Sequence, residues 1–278
     1  MLEKVDPAGV HAAMRRLAEV KNARDVVSRT RVWMSGGWLR QTARNTPQLI
    51  RCIDVARLAN RFAGRPAVVH AAGPSLDKQL PLLARHRDRV LVVAIGQTLR
   101  VLRAAGIEPD FVHVLEAQDV AHQLVSAGRT DDIDLIVSPN VHPSLFEVPV
   151  RRCFAAYPVT NRFAGWVREQ LGGWTPMAAG TSVAISAVYL AALFGARPVL
   201  VIGQDLAFTG GRTYASGSLY EGVGVREDGA GRVVLSNVRA KAARFGIPSD
   251  DDVVEEARRV EGWSGEKVLT TASYATFI

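Results

Sequence analysis

Five short passages of this 278-residue chain close an apolar run and open on residues able to bind or react. The first is Gly73-Pro74-Ser75-Leu76-Asp77. Gly73 lets backbone approach a ligand closely, and Pro74 stiffens the turn. Ser75 adds a hydroxyl and a free N–H at a helix start, where phosphate is well received. An ordinary turn with Ser75 capping its own helix competes evenly with that reading. The second passage, Gly96-Gln97-Thr98, offers Gln97 and Thr98 to a base or ribose, although Thr98 as a plain cap is the simpler account. In the third, Glu116-Ala117-Gln118-Asp119, the acids suit a ribose, a proton or a cation, against a solvated turn capped by Asp119. Gly180-Thr181-Ser182 heads a long apolar helix, where N–H groups and two hydroxyls make either an anion site or a structural cap. The fifth, Gly203-Gln204-Asp205-Leu206-Ala207-Phe208, runs on into a glycine-rich stretch carrying Arg212 and Tyr214, and is the most site-like of all.

Several chemistries are excluded. His70, His113 and His142 lack the spacing of metal ligands, so no metal site is expected. There is no Gly-x-Ser-x-Gly elbow, no Walker loop and no full dinucleotide fingerprint. Cys52 and Cys153 read as small buried hydrophobes in a reducing compartment rather than as a disulfide.

The elements around these passages alternate. Apolar runs at 66–72, 89–95, 110–116, 134–138 and 198–203 predict strands, and helices are predicted at 77–86, 98–105, 120–127 and from 181 or 182 to 194. Continuous apolar strands alternating with helices predict an α/β fold: a Rossmann-like, mostly parallel sheet with helices on both faces. Such sheets bind ligands at the carboxyl ends of their strands, where all five passages lie. Residues 1–60 read as a separate helical N-terminal region of two runs, broken at Ser35-Gly36-Gly37, the second beginning at Pro47, running through Leu58 and ending near Ala63-Gly64. Residues 61–278 then form the nucleotide-binding domain. Residues 139–174 read as irregular, 214–231 as a flap and 250–258 as a helix, with a hairpin around Ser264-Gly265. The uncapped apolar ending at Phe277-Ile278 reads as a truncation.

Composition adds bounds. Apolar residues make up 48% and charged residues 22%, which is globular rather than disordered. A net charge of +7 favours anionic partners, but basic and aromatic residues do not interleave as a nucleic-acid surface would. The N-terminus has no secretory pattern, which points to a cytoplasmic protein. Met177 to Ala196 carries no charge, yet its Ala, Gly, Ser and Thr content fits a helix buried on a sheet better than one inserted in a membrane.

In this order, Ala72-Gly73-Pro74-Ser75-Leu76-Asp77, Gly180-Thr181-Ser182-Val183-Ala184 and Gly203-Gln204-Asp205-Leu206-Ala207-Phe208-Thr209-Gly210-Gly211 resemble one family. It is the domain shared by motility accessory factor (Maf) flagellin glycosyltransferases and archaeal 6-hydroxymethylpterin diphosphokinase-like (MptE-like) proteins. The tail from Val260 to Thr271 also resembles the Maf version. The resemblance implies transfer of a nonulosonic, sialic-acid-like sugar from a CMP donor to a Ser/Thr hydroxyl of flagellin or another protein, with no cofactor required. It further implies nucleotide contacts from Gly73, Pro74, Ser75, Gly180, Thr181 and Ser182, and the strand-end passages add Gln97, Gln118, Gln204, Arg212 and Tyr214 as candidate contacts. Asp205, Glu116 and Asp119 are the candidate bases. The rival it carries is a diphosphokinase moving pyrophosphate from ATP to a pterin alcohol, with Mg²⁺ held by Asp77, Glu116 and Asp205. A nucleotide-binding module without catalysis is the third reading.

Overall fold

The computed structural model describes residues 6–159, 161–172, 175–177, 182–236, 253–262, 265–271 and 274. Helix α1 spans Pro7–Leu49, strand β1 Ile53–Asp54, β2 Ala67–His70, helix α2 Leu76–Arg85, β3 Leu91–Ile95, α3 Leu99–Ala104, β4 Phe111–Val114 and α4 Ala121–Val125. Strand β5 (Asp134–Val137), β6 (Arg152–Pro158), helix α5 (Arg162–Leu171), β7 (Thr175–Met177), α6 (Val183–Leu193) and β8 (Val199–Ile202) follow. Strands β9 (Gly224–Glu227), β10 (Arg232–Ser236), β11 (Val253–Glu261) and β12 (Lys267–Thr271) complete the chain.

Among the described residues, β1 to β8 form one sheet in the order β1-β6-β5-β4-β3-β2-β8, with β7 also paired to β6. Every pairing in it is parallel. The expected α/β sheet is therefore present, and its central strands are buried along their whole length. From β2 to β6 the chain steps in one direction, and right-handed crossovers then keep the intervening helices on one face. Leu83, Leu99, Leu102 and Leu124 pack there against Val68, Val92 and Val112. Helix α6 returns the chain to β8 on the far side of β2, which puts it on the opposite face. Its Ala187, Leu190 and Ala191 pack against Ala67, Val69, Leu91 and Val93. The apolar stretch thus covers the sheet, and no described helix is long and apolar enough to cross a membrane.

Four expectations change. Helix α1 runs unbroken through Gly36 and Gly37, since open space surrounds both and intact turns on either side outweigh a helix penalty of about 1 kcal/mol each. The second helical run ends at Leu49: Ile53 and Asp54 pair with Phe154 and Ala155 of β6 instead, and Val55–Leu58 is a single 3₁₀ turn. The stretch 139–174 holds β6 and α5, hidden by the charged opening Arg151-Arg152. The helix expected at 250–258 is, from Val253 onward, strand β11, paired on one side to β10 and on the other to β12, while 250–252 lie outside the described residues. Its Glu, Ala and Arg are good helix formers, but two flanking ladders override that local preference. The expected hairpin survives as β11–β12, with Glu261 opposite Lys267.

At the amino rim of the sheet, Asp134 is buried, with its side chain 2% exposed between Arg151 and Arg152. Desolvation raises the Asp134 carboxyl, but hydrogen bonds from both guanidiniums outweigh it and hold the pKa below the usual range. Its stabilisation is therefore present above the unfolded carboxylate pKa and is lost as pH falls through the lower folded value. Asp134→Ala is expected to cost about 1–2 kcal/mol at pH 7, because the half-exposed arginines left behind can be hydrated. Urea titrations should show that difference shrinking at pH 2.

Candidate functional site

Parallel strands place the loops after β2, β3, β4 and β8 on one carboxyl rim. Right-handed return through α6 directs the start of that helix to the same rim, where His113 of β4 meets Ser186 of its first turn at 2.9 Å. Burial lowers the His113 pKa to about 4, so the imidazole is neutral.

The loops after β2 and β8 are fastened together. The Gly73 N–H donates to the Gly203 carbonyl at 2.7 Å, and the Ala215 N–H to the Ala72 carbonyl at 2.8 Å. Asp205 accepts from the Ser75 N–H at 2.9 Å and from its hydroxyl at 2.5 Å. Ser75 does not cap its own helix with its side chain. A carboxylate of the same chain thus takes the helix-terminal N–H expected to face a phosphate. The close approach that Gly73 permits is also internal: a Cβ there would lie 2.5 Å from both the Gly203 carbonyl oxygen and Asp205 Oδ1. Gly203 itself has φ +67°, and Gln79 accepts its N–H at 3.1 Å. Pro74 is buried in the turn, and Gln204 is half-buried beside Asp205.

Asp77 fastens the outer part of the same loop. It accepts from the Arg212 guanidinium at 2.7 Å, the Ser216 N–H at 3.0 Å and the Ser216 hydroxyl at 2.9 Å. Desolvation raises the Asp77 carboxyl, yet these hydrogen bonds win and hold it below the usual range. Beyond Asp205, Leu206 has φ +48°, a left-handed conformation unusual for a bulky side chain and a recurrent mark of functional loops. The Thr270 hydroxyl of β12 donates to the Leu206 carbonyl at 2.6 Å, and the Phe208 N–H to the Leu269 carbonyl at 2.8 Å. The antiparallel sheet is therefore docked on the rim.

After β3, Gln97 buries its carboxamide nitrogen. Its carboxamide bonds Tyr214, whose hydroxyl pKa is pushed up to about 12 by burial and the neighbouring Tyr220 ring, against that bond. Thr98 turns back to the Ile95 carbonyl, facing no rim ligand. Gln123 packs behind Gly96 and donates to the Tyr220 hydroxyl at 3.3 Å. After β4, burial pushes the half-buried Glu116 carboxyl above its usual range, opposed by the Leu115 N–H, which donates to it at 3.1 Å. Asp119 is exposed and lowered, first by the Ser144 hydroxyl at 2.7 Å. Gln118 reaches the Met34 sulfur of α1 at 3.6 Å. Ser182 caps α6 by accepting from the Ile185 N–H at 3.4 Å, while Gly180 and Thr181 lie outside the described residues.

Local patterning gave no notice of Gln79, Gln123 and Tyr220, because each acts through a partner distant in sequence. Ser216 stood in the glycine-rich passage, but its partner Asp77 lies 139 residues away. A cavity of about 390 Å³ opens at the opposite rim between Arg87, Asp110, Asp134 and Arg151. Its charges largely neutralise one another, with Arg87 on Asp110 at 3.1 Å and Arg151 on Asp134 at 2.8 Å. The strand-end rim remains the candidate site.

Residues 40–211 match the family described as 6-hydroxymethylpterin diphosphokinase MptE-like, over more than half of the chain. No curated protein matches the chain. Among solved structures, it is similar to a Maf glycosyltransferase from Magnetospirillum magneticum AMB-1, with TM-score 0.51 and 18% identity. That similarity covers 83% of this chain and 33% of that one, so the chain spans about a third of the length of that protein.

Proposed function

The chain belongs to the 6-hydroxymethylpterin diphosphokinase MptE-like family, and on that premise we propose that it is a nucleotide-dependent transferase of the Maf type. The reaction in this reading moves a nonulosonic sugar from a CMP donor to a Ser/Thr hydroxyl of flagellin or another protein acceptor. A nucleotide donor suits a cytoplasmic setting. The observation that carries the reading is the meeting of four strand-end loops and the start of α6 on one carboxyl rim, with the Gln97 carboxamide and the Tyr214 hydroxyl bonded to each other there.

Each group has a role in that chemistry. Gln97 donates to an acceptor on the base or ribose, with Tyr214 orienting its carboxamide. Ser182 and the amides beside it, with Thr181 and Gly180, receive the phosphate at the α6 N-terminus. Gly73, Pro74, Ser75, Gln204, Asp205 and Arg212 shape the wall, since their polar groups largely satisfy one another. Glu116 is the general base. Burial raises its pKa toward the working pH, whereas the Ser144 hydroxyl makes Asp119 less basic. It takes the acceptor hydroxyl's proton as that oxygen bonds the anomeric carbon and the CMP phosphate departs.

The diphosphokinase reading is favoured by the family's description, yet its cation site fits poorly. Asp205 is engaged by Ser75, and Asp77 by Arg212 and Ser216. Mg²⁺ would have to displace these donors. Thermal shift with CMP, CTP and ATP, each with and without Mg²⁺, separates the readings. CMP at about a hundredfold its Kd should raise Tm by roughly 5 °C without metal. Stabilisation by ATP and Mg²⁺ alone would defeat the glycosyltransferase reading.

A further inference from the structure

Cys52 and Cys153 are 101 residues apart in sequence, and the fold brings their sulfurs to 2.9 Å. The cause is the short pairing of β1 with β6. Ile53 stands opposite Phe154 in parallel register, so Cys52 and Cys153 occupy the preceding position on the two neighbouring chains. Adjacent parallel strands hold their Cα atoms about 4.8 Å apart, inside the range a disulfide requires. A gap of 2.9 Å needs closing by only about 0.9 Å to reach a sulfur–sulfur bond. Both cysteines are free thiols and both are partly exposed, so a small reagent can reach them. The expectation of two separate buried hydrophobes is thereby replaced by a vicinal dithiol.

We propose that Cys52 and Cys153 form a dithiol modification site, oxidised by low-molecular-weight disulfides to an intramolecular cross-link between the end of α1 and β6. The hydrogen bond with Cys52 and burial both push the Cys153 pKa up. In the exchange, Cys52 first gives its proton to solvent. Its sulfur attacks one sulfur of the reagent and expels one small thiolate, leaving a mixed disulfide. Cys153 then loses its proton to solvent as its sulfur attacks the Cys52 sulfur and expels the second small thiolate, and both small thiolates take up protons. One protein disulfide and two small thiols result, and the two electrons pass from the cysteines to the reagent.

The position gives the bond a consequence. The last turns of α1 support rim loops: Gln41 donates to the Ala117 carbonyl at 2.6 Å, and Asn45 to the Pro139 and Val141 carbonyls at 2.9 and 2.7 Å. A Cys52–Cys153 bond would anchor that support to the sheet from below. It would also close a loop of about a hundred residues, which restricts the unfolded chain strongly.

The test uses the full chain, reduced and then equilibrated with oxidised and reduced glutathione over a range of ratios. Thiols are trapped by alkylation and read by intact mass and peptide mapping. Both thiols should disappear in one step, yielding a linked peptide pair containing Cys52 and Cys153 and a mass 2 Da lower. Tm should rise by at least roughly 5 °C and fall back on reduction. Cys52→Ser should abolish the linked pair and the Tm rise. Two independently modified thiols, stable glutathione adducts on both, or links only between molecules would overturn the proposal. Because the readout is mass and stability, it stands apart from any result with nucleotides.

Discussion

Gly203→Ala is expected to destabilise the protein by about 3–5 kcal/mol and to lower Tm by roughly 10 °C. Two penalties combine. Gly203 sits at φ +67°, where any side chain costs about 1–2 kcal/mol. An added Cβ would also run into the Ala71 carbonyl oxygen, well inside contact distance, and approach the Leu76 Cβ at 3.0 Å. Neither obstacle is the free end of a flexible side chain. Relief requires β8 to move off β2, which strains the Gly73–Gly203 bond and the Asp205–Ser75 pair together. Thermal melts and urea titrations read the loss directly. A Gly203→Ala protein within 1 kcal/mol of wild type would show that this crossing is looser than described.

Glu116→Gln should lower kcat about 10²- to 10⁴-fold while nucleotide affinity stays within about threefold. The amide keeps the size of the side chain and removes its basicity. With Glu116 as the proposed base, turnover by the wild type requires the deprotonated carboxylate, so kcat/KM should rise with pH through an acid limb. Burial places that limb above the usual carboxylate range. The limb should vanish in the Gln variant. Asp119→Asn is the control: its carboxylate is exposed and bonded to Ser144, and its loss should cost much less. Equal effects of the two substitutions, or a Glu116→Gln enzyme with an unchanged pH profile, would remove Glu116 as the base. The comparison is made with a CMP-sugar donor and a protein acceptor, with CMP binding measured in parallel.

Much of the central fold was legible because its signals are local. Runs such as Val68-Val69, Leu91–Ile95 and Leu135-Ile136-Val137 are apolar on every residue, as only strands covered on both faces can be. Strand ends marked by Gly73, Gly96 and Gly203 also lay where the sequence placed them. Signals failed where partners decide the outcome. Val253–Glu261 has the residues of a helix and becomes a strand because β10 and β12 flank it. Arg151-Arg152 reads as surface, and its pairing with buried Asp134 hides the start of β6. At the site, the described candidates fall in the loops after β2, β3, β4 and β8 and at the start of α6, but their mutual bonds were invisible. Asp205 and Ser75 are 130 residues apart, and nothing near either one shows that each satisfies the other.

The clasp between Leu206 and Thr270 bears on where a minimal fragment can be cut. The stretch matching the family closes at residue 211, whereas the hydroxyl that secures the Leu206 carbonyl comes from β12, nearly sixty residues later. A chain trimmed to its recognisable part would keep the parallel sheet and release the loop bearing Asp205. Such a fragment would keep every strand of the parallel sheet and still have lost the contact that fixes the loop at its carboxyl rim.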